Sequence, residues 1–113
     1  ALDVCLIAPF NEEIVFRKAI RDVFSNKYIF VFFSFLIFGG CHVISSAKNI
    51  IDYLYIIPYG TLGAMFALAY NKTKTVYTSM TFHMLHNTIN VIILLLFLFA
   101  SVVADTHSSM WQD

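Results

Sequence analysis

The sequence predicts an all-α, polytopic transmembrane helix bundle of about four helices. Three observations lead there. Across 113 residues, 59% are hydrophobic and only 12% are charged, with a mean hydropathy of +0.76. Soluble domains carry about 25% charged residues, and a chain this small with so few charges cannot clothe its surface in polar groups. The uncharged stretches have the length of bilayer spans, and the charges collect in the gaps between them.

Each element follows from that charge map. Residues 2–24 form a first, more polar helix with charges in its middle and second half. Residues 28–47 contain no Asp, Glu, Lys or Arg; such a run is about 30 Å long as a helix, enough to cross a hydrocarbon core. Residues 53–70 are a second uncharged run, slightly short, and residues 76–104 a third, long enough to span with tilt. Joints fall near 25–27, 48–52 and 71–75. Pro58, Gly60 and Gly63 interrupt the third helix, which implies a kink or a close helix contact. No internal repeat or low-complexity linker divides the chain, so residues 1–113 read as one membrane domain.

Lys and Arg placement orients the bundle. Lys18, Arg21 and Lys27 flank the first joint and Lys72 and Lys74 the third, whereas the second has only Lys48 beside Asp52. The positive-inside rule puts the first and third joints in the cytoplasm and the C-terminus outside. Tyr28, Tyr53, Tyr55 and Tyr77 fall near helix ends, where interfacial tyrosines belong. Net charge is zero and no basic stripe occurs, which excludes a nucleic-acid partner. Cys5 and Cys41 stand among apolar residues and read as buried, reduced thiols. Residues 1–10 lack the basic region of a signal peptide. The Asn71-Lys72-Thr73 sequon is of a kind that arises often by chance.

Polar side chains inside apolar spans are costly in hydrocarbon and mark function. Glu12, Glu13 and Arg17 form the first set. Glu13 and Arg17 are spaced i,i+4 in the favourable order for an ion pair. Glu12 points about 100° away and has no cation at i+3 or i+4. A solvated helix end is the plainer reading of this set. His42 is the second, after Phe38 and Gly39-Gly40; alone it would more often be a satisfied core histidine, although the glycines allow a helix or a substrate to approach. His83, His86, Asn87 and Asn90 are the third, and spacings of three, four and seven align them on one stripe. Interhelical hydrogen bonding would explain part of that stripe; four groups exceed what such bonding needs. Glu12, His42 and His83 lie at depths of about 10–20 Å by helical rise, so the sets can share a cavity. Glu and His together can activate water, and His and Asn donors can hold an oxyanion. Glu12, His42 and His83 are also possible zinc ligands.

Glu12-Glu13-x-x-x-Arg17, Phe38-x-x-x-His42 and His83-x-x-x-Asn87 resemble, in order, the three motifs of the CPBP family: the type II CAAX prenyl proteases and the bacteriocin-processing, self-immunity (Abi) membrane proteins. Ser45-Ser46-Ala47 and Ile57-Pro58-Tyr59-Gly60 with Leu62-Gly63 also look like family sequence, and the resemblance spans residues 8–90. It implies an intramembrane endopeptidase. In eukaryotic members that activity removes the C-terminal tripeptide after a prenylated cysteine. By the same resemblance Glu12 is the water-activating residue and His42 its partner, His83 and Asn87 stabilise the oxyanion, and Glu13 and Arg17 support them. His86 lies outside the motif and receives no role. The chain is then expected to be the catalytic core of a longer protein in a bacterial plasma membrane, acting on a peptide or lipidated protein and in contact with membrane lipid. The His-Glu-x-x-His zinc helix is missing, so the expectation is water activated by glutamate, with no cofactor assigned and zinc on Glu12, His42 and His83 as the alternative. The competing class is a non-catalytic immunity or partner-binding membrane protein that keeps the motifs for packing.

Overall fold

The computed structural model describes residues 1–111. Helix α1 runs over residues 2–23, and its two single-turn π-helical segments, Asp3–Ile7 and Ile14–Ala19, flank the α-helical turn Ala8–Glu13. Lys27–Ile44 is α2; a 3₁₀ segment, Ile50–Tyr55, leads into α3, Ile56–Thr73; and α4 is Val76–Ser109. Among the described residues there is no strand. Helices α2, α3 and α4 each have the length and apolar character to cross a membrane. The chain is an integral membrane protein.

Local chemistry sets the ends. Asn26 caps α2, its Oδ1 accepting from the N–H groups of Tyr28 and Ile29 at 2.9 and 3.2 Å. Asn49 and Asp52 form a reciprocal capping box at the 3₁₀ segment. The carboxylate of Asp52 accepts from the backbone N–H of Lys48 at 2.7 Å. Lys74 takes the left-handed conformation, φ 58°, that stops α3, and Thr75 starts α4.

Four boundaries depart from the charge map. α2 ends at Ile44, not 47, because Ser45 and Ser46 fold their hydroxyls back onto its last carbonyls. The second joint is itself largely helical. The third joint shrinks to Lys74 and Thr75, which leaves Asn71 buried inside α3. α4 continues through Asp105 to Ser109, since isolated polar residues do not stop a helix.

The bundle is knit by close approach of α2 and α3. A Cβ on Gly39 would lie 2.7 Å from the Ile56 carbonyl oxygen, and one on Gly63 would lie 2.6 Å from the Phe38 Cβ. Glycine is what lets these backbones touch. Pro58 falls in the first turn of α3, where no intrahelical bond needs its N–H, so it does not interrupt the helix. Both cysteines are free thiols; Cys41 is exposed rather than buried, because it lies on the outer face of α2. Large apolar side chains such as Leu94, Phe97 and Val102 point outward, as a lipid solvent permits.

Candidate active site

Helix α1 brings two adjacent carboxylates to the bundle and turns them apart. Glu13 and Arg17 are fully buried, with Arg17 Nε donating to Glu13 Oε2 at 2.8 Å and Nη2 to Oε1 at 3.2 Å. Two charge-assisted bonds in fork geometry make burial of both ions tolerable. Glu13 has a further partner that its i,i+4 spacing does not reveal: Nδ1 of His83, on α4, lies 3.0 Å from Oε1. Glu12 faces the other way. Its Oε2 is buried without a hydrogen-bond partner, 3.8 Å from His42 Nε2 and 3.7 Å from His83 Nε2.

Partners fix the imidazole protons. His42 Nδ1 lies 2.8 Å from the Phe38 carbonyl oxygen, which can only accept, so Nδ1 carries a hydrogen. His83 Nδ1 donates to the Glu13 carboxylate. Both Nε2 atoms are thereby turned on Glu12 Oε2. Aromatic rings hold these planes. His42 is stacked between Phe38 and Tyr59, at centroid distances of 4.3 and 5.0 Å. His83 stacks on Phe66 at 4.7 Å and meets the edge of Phe38. Phe38 touches both histidines, and the Arg17 guanidinium lies 5.8 Å from its centroid. Phe66 and Tyr59 carry no signal in the sequence as site residues, because only the tertiary packing of α3 brings them to the histidines.

The polar stripe of α4 divides. His83 enters the cluster, whereas Asn87 Nδ2 donates to the Val4 carbonyl oxygen on α1 at 2.9 Å. His86 and Asn90 pair with each other at 2.8 Å, and His86 lines an apolar groove of about 340 Å³ between α3 and α4. His42 stands in the last turn of α2 rather than deep in the span. Beyond its partner Tyr59 lies a polar cavity of about 260 Å³ lined also by Ser46, Asp52 and Tyr55.

Two imidazole nitrogens and a carboxylate oxygen are zinc-binding chemistry. Tetrahedral ligands at about 2.1 Å stand about 3.4 Å apart, and the 3.7 and 3.8 Å separations are wider. Among the described residues no group of three or more His, Cys, Asp or Glu is placed to hold a metal ion. Each separation does suit a water molecule that bridges Glu12 Oε2 and an Nε2 at hydrogen-bond distance, about 2.8 Å.

Residues 1–89 match the family described as "Type II CAAX prenyl endopeptidase Rce1-like". The chain belongs to this family. Among curated proteins it is similar to "Putative membrane peptidase YdiL" of Bacillus subtilis, at 32% identity over 90 residues, covering 77% of this chain and 34% of that protein. It is also similar to an uncharacterized protein of Mycoplasma capricolum, at 40% identity over 68 residues, covering 60% of this chain and 19% of that protein. The chain thus spans about a third or less of the length of these relatives. No solved structure matches. Within the Rce1-like match lie Glu12, Glu13, Arg17, His42, His83 and Asn87.

Proposed function

We propose that the chain is the catalytic core of a membrane-embedded endopeptidase that hydrolyses a peptide bond with water activated by Glu12 and His42. The observation that carries this reading is Glu12 Oε2, buried and unpartnered, faced by two histidine Nε2 atoms within 3.8 Å. A buried carboxylate oxygen left without a hydrogen bond is costly. A water molecule relieves it.

The chemistry then runs on this chain's own residues. Glu12 removes a proton from the water while His42 Nε2 orients it by accepting the second hydrogen. The water oxygen bonds to the substrate's carbonyl carbon. Charge develops on the carbonyl oxygen, and the imidazolium form of His83, oriented by Glu13 at Nδ1, donates from Nε2 to that oxygen. Glu12 returns its proton to the departing amine nitrogen as the C–N bond breaks, which yields a carboxylic acid and an amine. Peptide or lipidated-protein substrates suit a site inside a lipid-facing bundle, and the bacterial sources of both relatives support a bacterial plasma membrane.

The test is turnover of a lipidated or transmembrane peptide by the whole purified protein, wild type against Glu12→Ala. Cleavage by the wild type alone supports the reading. Equal cleavage by both overturns it.

A further inference from the structure

We infer that Asn87 is a positioning residue that holds α1 in register by standing in for a backbone N–H that Pro9 lacks. The argument starts in the first π turn. The N–H of Ala8 donates to the Asp3 carbonyl, five residues back. The Val4 carbonyl therefore does not receive the N–H of Ala8 at i+4. Its next helical donor, at i+5, is residue 9, and that residue is proline, which has no N–H. Neither residue 8 nor residue 9 thus supplies an N–H to the Val4 carbonyl. Asn87 Nδ2, 83 positions away on α4, donates to it at 2.9 Å.

The placement gives this bond its consequence. The Val4 carbonyl is turned on α4, so the bond from Asn87 ties the start of α1 to that helix. Pro9 is fully buried and begins the turn that carries Glu12. On α4, Asn87 lies one turn beyond His83. Thus α1 is tied to α4 twice, by Glu13 to His83 and by Val4 to Asn87, on either side of Glu12 along the chain. Two fixed points set both the rotation and the height of α1, and these determine whether Glu12 Oε2 meets the two Nε2 atoms. The pull of Asn87 on the reaction runs through Glu12, so this inference rests on the hydrolytic reading for its effect on rate, though not for the bond itself.

A double-mutant cycle separates this role from an oxyanion contact. Pro9→Ala restores an N–H at residue 9 and gives Val4 its own helical donor. Asn87→Ala alone should lower both turnover per folded molecule and resistance to thermal unfolding, with turnover falling about tenfold, the scale for one lost hydrogen bond that positions Glu12. Pro9→Ala alone should remain near wild type. The Pro9→Ala/Asn87→Ala protein should recover most of the turnover lost by Asn87→Ala. If the double variant stays as inactive as Asn87→Ala, Asn87 acts on the reacting atoms and the positioning role is overturned. Folded yield and unfolding temperature provide the same cycle without catalysis. Coupling between the two sites supports the inference even if the wild type cleaves no tested substrate, and strict additivity refutes it.

Discussion

The adjacent glutamates offer the sharpest contrast, because Glu12→Gln and Glu13→Gln make the same chemical change on neighbouring residues. Glu13 receives three hydrogen bonds, two from Arg17 and one from His83, and both Glu13 and Arg17 are fully buried. Glutamine keeps one oxygen, loses the charge and adds an NH₂ group beside a guanidinium. Removing one partner of a buried pair costs about 3–5 kcal/mol, since the other charge is stranded. Glu12 Oε2 has no partner to lose. Glu12→Gln should therefore change stability by less than about 1 kcal/mol, while turnover falls by about 10²–10⁴, the range for a general base. Spacing alone predicts that Glu13→Gln lowers activity only in proportion to folded yield. The 3.0 Å contact with His83 Nδ1 revises this: specific activity should fall as well, because the ring loses the acceptor that orients it. Arg17→Leu should lower folded yield like Glu13→Gln, and the double change should recover part of it. Equilibrium unfolding in detergent gives the stability side, and turnover per mole of folded protein gives the kinetic side. Near-normal specific activity in Glu12→Gln with complete loss in Glu13→Gln would show the roles reversed. Full activity in both refutes the hydrolytic assignment.

Other consequences follow from packing, metal chemistry and topology. Gly63→Ala should destabilise the bundle and depress activity, because its Cβ would sit 2.6 Å from Phe38 Cβ and 2.7 Å from the Ser34 carbonyl. Gly40→Ala meets nothing within 4 Å and should be neutral or stabilising by about 0.5–1 kcal/mol; both are read by thermal unfolding, and similar losses would refute the close-contact argument. Turnover should survive prolonged chelation and dialysis, given ligand separations wider than a zinc site; stoichiometric zinc whose removal abolishes turnover and whose return restores it would convert the site to metal-assisted hydrolysis. Single cysteines at 26 and 73 should label from the cytoplasmic face and one at 109 from the other, and labelling of 26 and 73 from opposite faces would refute the topology.

How much of this was legible in the sequence varies by kind of interaction. Helix count and order could be read because lipid imposes a composition as well as a length, and charges at 18, 21, 27, 72 and 74 mark the ends. The Glu13–Arg17 pair could be read because both partners lie on one helix at a fixed offset. Helix ends were less legible: uncharged serines at 45 and 46 close α2, whereas Asp105 fails to close α4. Partners of the α4 stripe were least legible. Periodicity puts His83, His86, Asn87 and Asn90 on one face, but that face is wide enough to meet three surroundings. His83 finds Glu13, Asn87 finds Val4, and His86 finds Asn90. A helical wheel gives the direction of a side chain and leaves open what stands opposite it.

That limit bears on whether the cluster is catalytic or only structural. A membrane module that kept these residues for packing would be expected to satisfy them, since in hydrocarbon an unpaired polar atom is expensive. Most of the cluster is satisfied: Glu13 has three donors, and both histidine Nδ1 atoms have acceptors. Phe38, Tyr59 and Phe66 then immobilise the rings. Glu12 Oε2, buried without a partner, is where the Nε2 atoms of His42 and His83 are turned. Glu12 Oε2 and His42 Nε2, two acceptors facing each other at 3.8 Å, form a poor packing contact. They form a good receptacle for a molecule that brings its own protons, and water is the smallest that does. Rings held by bonded Nδ1 atoms and aromatic stacking, with their Nε2 atoms turned on one carboxylate oxygen, suit preorganised catalysis, and helix glue does not call for that convergence.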